Sequence, residues 1–282
     1  MANQERSMKE ILTAHGFTFK KTLGQNFITD PHICPRMAEA SGAEDGVGML
    51  EIGPGIGVLT KELAKRASRV VAVELDDRLL PILDETLADY ENAKVIHDDA
   101  MKVDLDRLVA EEFAGLRVSV CANLPYYITS PVVMRLLESK IPFEQITVMV
   151  QKEAADRLCA RPGTRDCGAV SLAIAYYAEA KKCFGVPRGC FHPAPNVDSA
   201  VISLKLHKNP PVSVKNEKNL FKTVRAAFSQ RRKTLSNSLA SSLGLPKEQI
   251  ISAIEQAGLA PTVRAENLSL EEFARLSDAL FS

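Results

Sequence analysis

From residue 46 to about residue 206, short apolar runs alternate with stretches in which apolar positions recur every three or four residues. The runs at 48–52, 69–73, 94–97, 118–122 and 145–150 read as strands, and the stretches at 58–65, 78–90 and 131–140 read as amphipathic helices. Alternation at this spacing builds βαβ units, so the pattern predicts an α/β protein with a largely parallel sheet. Two further runs, 180–186 and 199–206, read as strands. Little chain separates them for a crossover helix, so the second is expected to run antiparallel. The period changes after residue 207. A linker containing Pro210 and Pro211 spans 208–214, and helical periodicity marks 217–229, 233–243, 247–257 and 270–281. Gly244 and Gly258 stand where helix-ending glycines belong, and Pro246 suits the start of a helix. Two domains are expected: 1–207 around the sheet, and 208–282 all helical.

Composition narrows the class. The 282 residues are 46% hydrophobic and 25% charged, which supplies a core of ordinary globular size. No apolar run has the length of a membrane span, and residues 1–10 lack the apolar centre of a signal peptide. A cytoplasmic protein with no membrane partner is expected. The 35 basic and 35 acidic residues cancel, which does not announce a nucleic-acid partner but permits segregated patches. None of Cys34, Cys121, Cys159, Cys167, Cys183 and Cys190 stands in a CxxC pair, so the thiols are read as reduced and no metal site is expected.

The segment Leu50-Glu51-Ile52-Gly53-Pro54-Gly55-Ile56-Gly57 takes a strand through three alternating glycines into a helix. Glycines let a backbone turn tightly while a ligand lies against it, although the same turn can serve packing alone. The spacing is GxGxG, not the GxGxxG of dinucleotide sites, and a P-loop lysine is absent. Glu74 ends the next strand, where a carboxylate can accept hydrogen bonds from both ribose hydroxyls. Turn and acid together call for a ligand with a ribose and no pyrophosphate, a description that S-adenosylmethionine meets. The third strand ends in Asp98-Asp99-Ala100. A carboxylate there can accept from an adenine amino group, or it can cap the following helix; the residues alone barely separate Asp98 from Asp99.

Asn123-Leu124-Pro125-Tyr126 follows the fourth strand and so falls on the rim that carries Gly53, Glu74 and Asp99. An adenine amine is a poor nucleophile because its lone pair is delocalised into the ring. An Asn side-chain oxygen and a backbone carbonyl can accept its N–H hydrogen bonds and favour a pyramidal nitrogen. Pro125 stiffens the turn, and Tyr126 can stack on a base. Attack on a sulfonium methyl is an in-line displacement in which positioning and electrostatics carry most of the rate. The alternative is an ordinary proline turn with a buried tyrosine.

Taken together, these segments resemble the ribosomal RNA adenine N6,N6-dimethyltransferases over nearly the whole chain. Residues 20–28, reading KKTLGQNFI, are similar to that family's KKxLGQNFL segment, which implies that Asn26 and the backbone of Ile28 lie along the methionine end of the cofactor. Residues 51–60 match EIGPGxGxLT, which carries cofactor contact to Gly53 and Gly55. Glu74 falls on the ribose position, and Asp99 on the Asp of the family's GDA, with Asp98 in place of the Gly. Asn123, Leu124, Pro125 and Tyr126 match the catalytic NLPY, with Asn123 also beside the cofactor. Residues 191–199, FHPAPNVDS, resemble the FxPxPxVxS loop and imply that Phe191 stacks on the target adenine opposite Tyr126. Residues 227–235 match AFSQRRKTL. The resemblance implies a Rossmann-like S-adenosylmethionine-dependent methyltransferase sheet carrying a small C-terminal helical domain. It also implies a 16S ribosomal RNA substrate, with two adjacent adenines in the 3′-terminal hairpin of an immature small subunit each receiving two methyl groups.

The C-terminal region supplies a candidate RNA face. Residues 215–233 hold Lys215, Lys218, Lys222, Arg225, Arg231, Arg232 and Lys233 against one acid, Glu217; Lys20, Lys21, Arg157, Arg161 and Arg165 can extend it. Such faces bind phosphates with affinity that falls with salt, although a solvated helix face has the same composition. Lys222, Arg225, Arg231, Arg232 and Lys233 are the expected RNA contacts, and a monomer is expected. Three readings compete: a related large-subunit adenine methyltransferase, a non-catalytic ribosome assembly factor, and a small-molecule methyltransferase.

Overall fold

A computed structural model describes residues 8–19, 24–230 and 232–282. The expected basic residues Lys20, Lys21 and Arg231 lie outside the described residues. In chain order the first elements are α1 (Met8–Ala14), β1 (Phe27–Ile28), α2 (Ile33–Ala40), β2 (Val47–Ile52), α3 (Val58–Ala64), β3 (Arg69–Glu74), α4 (Leu80–Thr86) and β4 (Ala93–His97). There follow α5 (Leu105–Glu112), β5 (Arg117–Asn123), α6 (Thr129–Glu138), β6 (Gln145–Gln151), α7 (Lys152–Leu158), α8 (Ala169–Tyr177), β7 (Ala178–Val186), β8 (Phe191–His192) and β9 (Ser199–Leu206). The last four are α9 (Glu217–Ala227), α10 (Leu235–Leu243), α11 (Lys247–Gln256) and α12 (Leu270–Leu280).

Seven strands form one sheet in the order β4-β3-β2-β5-β6-β9-β7. The pairs β3–β4, β2–β3, β2–β5 and β5–β6 are parallel, and β9 runs antiparallel to β6 from Gln145 opposite Lys205 to Gln151 opposite Ser199. All six residues of β2 are buried. That is why this strand reads as a run broken by one acid, Glu51, and not as an alternation, since helices cover both faces of a parallel sheet. The chain leaves β2 for β3 on one side, and later returns to β5 on the other. The sheet order therefore reverses at β2, and a crevice opens beyond the carboxyl ends of β2 and β5. A separate two-stranded piece pairs β1 with β8, Phe27 opposite His192 and Ile28 opposite Phe191.

The chain divides into two compact units. One holds the described residues up to Ala155 together with Lys181–Leu206; the other holds Asp156–Ala180 and His207–Ser282. The boundary expected at 207 is corrected by the segment 156–180, which belongs with the C-terminal helices. The cause is an aromatic cluster: Tyr176, Tyr177 and Phe221 stand with ring centroids 5.1–5.4 Å apart. Glu217 accepts hydrogen bonds from the Tyr177 hydroxyl at 2.7 Å and the Tyr176 hydroxyl at 3.4 Å. Within this unit Gly244 ends α10 and Gly258 follows α11, both at positive φ. Ser269 and Glu272 cap α12 reciprocally.

Candidate active site

The crevice holds a cavity of about 1060 Å³, open solvent at its mouth included, lined by residues 24–28, 51–56, 73–75, 98–100 and 123–128 among others. Four strand ends and the N-terminal segment thus meet in one place. The glycine turn supplies the floor. Gly53 and Gly55 have φ of 69° and 62°, where a side chain is strained. A Cβ on Gly53 would meet nothing within 4 Å, so the turn leaves open space there; one on Gly55 would stand 3.1 Å from the Phe27 ring. Gly53 is therefore the point where a ligand can approach the backbone, whereas Gly55 is also required by packing.

Glu74 is buried at the end of β3. Its Oε1 accepts the Asp76 N–H at 2.8 Å and its Oε2 the Gly55 N–H at 3.3 Å, which ties the acid to the turn. Burial raises its pKa, against the lowering effect of those N–H groups. Each oxygen retains a second lone pair, the requirement for gripping a diol. Asp98 and Asp99 both line the cavity. Asp99 Oδ1 accepts the Met101 N–H at 2.8 Å, and its Oδ2 lies 3.4 Å from Lys102 Nζ. Neither aspartate caps the helix that follows, since α5 is capped by Asp104, whose Oδ1 accepts the Arg107 N–H at 3.0 Å; the Asp99 contact to Met101 closes a local turn at the cavity edge. Asp98 Oδ1 accepts the Asp99 N–H at 2.7 Å, the backbone arrangement found here in place of a glycine.

The N-terminal segment forms a wall. Asn123 Nδ2 donates to the Asn26 carbonyl at 3.2 Å, and Asn26 Nδ2 donates to the Gly24 carbonyl at 3.1 Å. The Thr29 N–H donates to the Cys190 carbonyl at 2.8 Å, which makes Ile28–Phe191 a non-hydrogen-bonded pair of the ladder. The backbone groups of Ile28 are therefore outside that ladder, beside the cavity. Gln25 Nε2 donates to Asp76 at 2.8 Å, and Asp76 is paired with Arg78, whose guanidinium lies 4.9 Å from the Phe17 ring centroid. Phe17, Phe19 and Phe27 pack with centroids 5.4–5.9 Å apart.

Next to this segment, Leu124 is buried and its N–H donates to the Met149 carbonyl at 3.3 Å, which anchors the tetrapeptide to β6. Pro125 leads into a 3-10 turn at Tyr126–Ile128. The half-buried Tyr126 has its hydroxyl 2.8 Å from Ser199 Oγ, and burial pushes its pKa up. Phe191 departs from expectation. Its side chain is only 5% exposed, it is absent from the cavity lining, and it packs with Ile28, Val186 and Val201 in the core. Pairing with β1 turns it inward, so its ring is not a face on which a base can stack in this arrangement.

Glu51 was not singled out by the sequence, yet it lines the cavity at 1% exposure. Its Oε2 and the nearby Thr60 Oγ1 are buried without a hydrogen-bond partner among the described residues. Burial pushes the Glu51 pKa up to about 8. An orphaned carboxyl oxygen and an open glycine cradle are what a site for a ribose-bearing ligand with polar ends requires, so the residues present fit S-adenosylmethionine. Among the described residues no group of His, Cys, Asp or Glu could hold a metal, and no helix is long and apolar enough to cross a membrane.

In the second unit, Lys218, Lys222 and Arg225 are exposed at helical spacing on α9, and Arg232 and Lys233 are exposed beyond it. Arg157, Arg161 and Arg165 are exposed in the same unit.

Solved structures share this arrangement. A dimethyladenosine transferase from Plasmodium falciparum superposes with a TM-score of 0.75 at 25% identity, over 89% of this chain and 95% of that one. The 23S rRNA methyltransferase ErmE gives 0.69 at 26% identity, over 91% and 100%. The fold and its cleft are those of a Rossmann-like methyltransferase. At the level of sequence, a ribosomal RNA small subunit methyltransferase A of Geobacillus thermodenitrificans is 51% identical, over 96% of this chain and 94% of its own length. One of Streptococcus thermophilus is 50% identical, over 96% and 95%. Residues 16–281 match the sequence model of the ribosomal RNA adenine dimethylases, and the chain belongs to that family.

Proposed function

We propose that this protein transfers methyl groups from S-adenosylmethionine to N6 of two adjacent adenines in the 3′-terminal hairpin of 16S ribosomal RNA. It would act as a cytoplasmic monomer on immature small subunits. The observation that carries the reading is the fixed amide of Asn123 at the switch point of the sheet. Its Nδ2 is committed to the Asn26 carbonyl, which leaves Oδ1 to accept a hydrogen bond from the adenine amine. The Pro125 carbonyl receives the Ile128 N–H at 3.1 Å and the Thr129 hydroxyl at 3.4 Å. The Leu124 carbonyl is then the second acceptor. Two acceptors favour a pyramidal nitrogen with a localised lone pair, and their fixed positions need no reorganisation during reaction. Tyr126 offers its ring to the base. The amine proton leaves to water after the N–C bond forms, so no strong base is needed. When bound, S-adenosylmethionine supplies a methyl group made electrophilic by its sulfonium charge; Gly53, Gly55, Glu74, Asp99, Asn26 and the Ile28 backbone would hold it. The helical unit, through Lys222, Arg225, Arg231, Arg232 and Lys233, would hold RNA phosphates. Identity near one half to small-subunit methyltransferases supports this substrate over the large-subunit one.

The test is transfer of labelled methyl to small subunits lacking the modification, alongside mature subunits and large-subunit RNA. Label only on unmodified small subunits, recovered as dimethyladenosine, is the expected result. Label on large-subunit RNA would favour the related enzyme, and binding without label would favour an assembly factor.

A further inference from the structure

The described residues include three large apolar side chains that are well exposed: Tyr127 at 58%, Leu75 at 50% and Val197 at 44%. Isolated exposed apolar residues are ordinary, but these are not scattered. Leu75 and Tyr127 line the cavity, and Val197 stands two residues before Ser199, which holds the Tyr126 hydroxyl. Tyr127 is the aromatic one. It follows the catalytic tetrapeptide in the 3-10 turn, so its position is fixed by the same backbone that fixes Asn123. Its ring is propped: a Cβ on Gly24 would stand 3.4 Å from two of its ring carbons, and Gly24 has φ of 59°. A glycine at that point lets the backbone lie close to the ring. The Tyr127 hydroxyl has no partner among the described residues, and most of the side chain faces solvent. Tyr126, by contrast, is half-buried with its hydroxyl engaged, and Phe191 lies in the core.

We propose that Tyr127 is a stacking platform for the nucleotide adjoining the target adenine, so that the site holds two successive bases of the RNA. One base enters the cavity beside Asn123 and Tyr126, and its neighbour lies on the Tyr127 ring. The inference rests on the RNA-adenine reading of the site. Its physical basis is the cost of extraction. Removing one base from a stack deprives its neighbour of a stacking partner, and an exposed aromatic ring at the mouth restores that surface. Stacking on aromatic side chains is how proteins hold splayed single-stranded RNA. A purine, with the larger face, would be preferred at that position.

The experiment uses the full chain and small subunits lacking the modification. Methyl transfer is measured for the wild type, Tyr127→Ala and Tyr127→Phe, with cofactor affinity followed by calorimetry and folding by thermal unfolding. In Tyr127→Ala, kcat/KM for the subunit should fall about tenfold, equivalent to about 1.4 kcal/mol. Cofactor affinity should be unchanged, and Tyr127→Phe should keep wild-type transfer. On subunits reconstituted with a pyrimidine beside the target, the penalty of Tyr127→Ala should shrink, which a merely structural role would not produce. Wild-type transfer by Tyr127→Ala would overturn the platform, as would a loss of transfer matched by a loss of cofactor affinity. Absence of transfer by the wild type on any subunit would remove the RNA-adenine reading itself, and the platform with it.

Discussion

The two walls of the cavity are built differently. At the ends of β2, β3 and β4, the site is made of backbone: glycines at positive φ, and carboxylates that accept main-chain N–H groups. At the end of β5, it is made of side chains on a short turn, and exposure rises along it from the buried Leu124 to Tyr127 at 58%. On the proposed reading, the cofactor would be met by groups that strand ends and tight turns place before it arrives. On the same reading, a base swung out of RNA would be met by rings and amides at a mouth that must admit and release it. The contrast puts pre-organisation on one wall and access on the other, and it predicts that loss of residues on the first would cost binding and loss of residues on the second would cost turnover.

Phe191 gives the strongest way to break that division. If it is a core residue, Phe191→Ala should lower unfolding free energy by about 3–5 kcal/mol, read from urea denaturation. A loss below about 1 kcal/mol with collapsed methyl transfer would return it to the substrate wall as a stacking face. Next in size is Asn123→Ala. Removing one of two fixed acceptors should lower kcat by about 10²–10³-fold, with cofactor affinity by calorimetry largely kept. Undiminished turnover would show that the Asn123 amide is not the acceptor.

The difference between the walls also decided what the sequence disclosed. The placement of Gly53, Gly55 and Glu74 at the cavity is legible in the sequence because it is local: a positive φ and a strand-end carboxylate depend on residues a few positions away. Asn123–Tyr126 was legible as a motif, and its strand placed it on the right rim. Phe191 was not, because the face it presents is set by the pairing of β8 with β1, more than 160 positions earlier (Ile28 opposite Phe191). That the segment 156–180 belongs with the C-terminal helices is not legible for a related reason. Helix α8, AVSLAIAYY, is apolar nearly all round, and such a helix says that it is buried without saying against what. Glu51 carries a signal of its own in the sequence, an acid inside an otherwise apolar strand.

That acid gives the smallest expected effect and the sharpest test of the backbone wall. Glu51 is faced by Thr60 on α3, Glu74 on β3, Cys34 on α2 and Cys121 on β5. None is a cation, and burial holds both thiols well above their ordinary pKa. In the unfolded chain the carboxyl ionises around its ordinary value of 4.5, whereas in the fold it keeps its proton up to about 8. Between those values the folded state binds more protons than the unfolded one. Glu51 therefore takes stability away as pH rises through that window, and its effect levels off above about 8. Glu51→Gln keeps the shape and removes the titration. Its stability relative to the wild type should improve from pH 5 to pH 8 by on the order of 1–2 kcal/mol. Denaturation curves at those two pH values measure it. A gap that stays constant would mean that Glu51 is already ionised in the fold, with water or an ion completing the hydrogen bond that its Oε2 lacks.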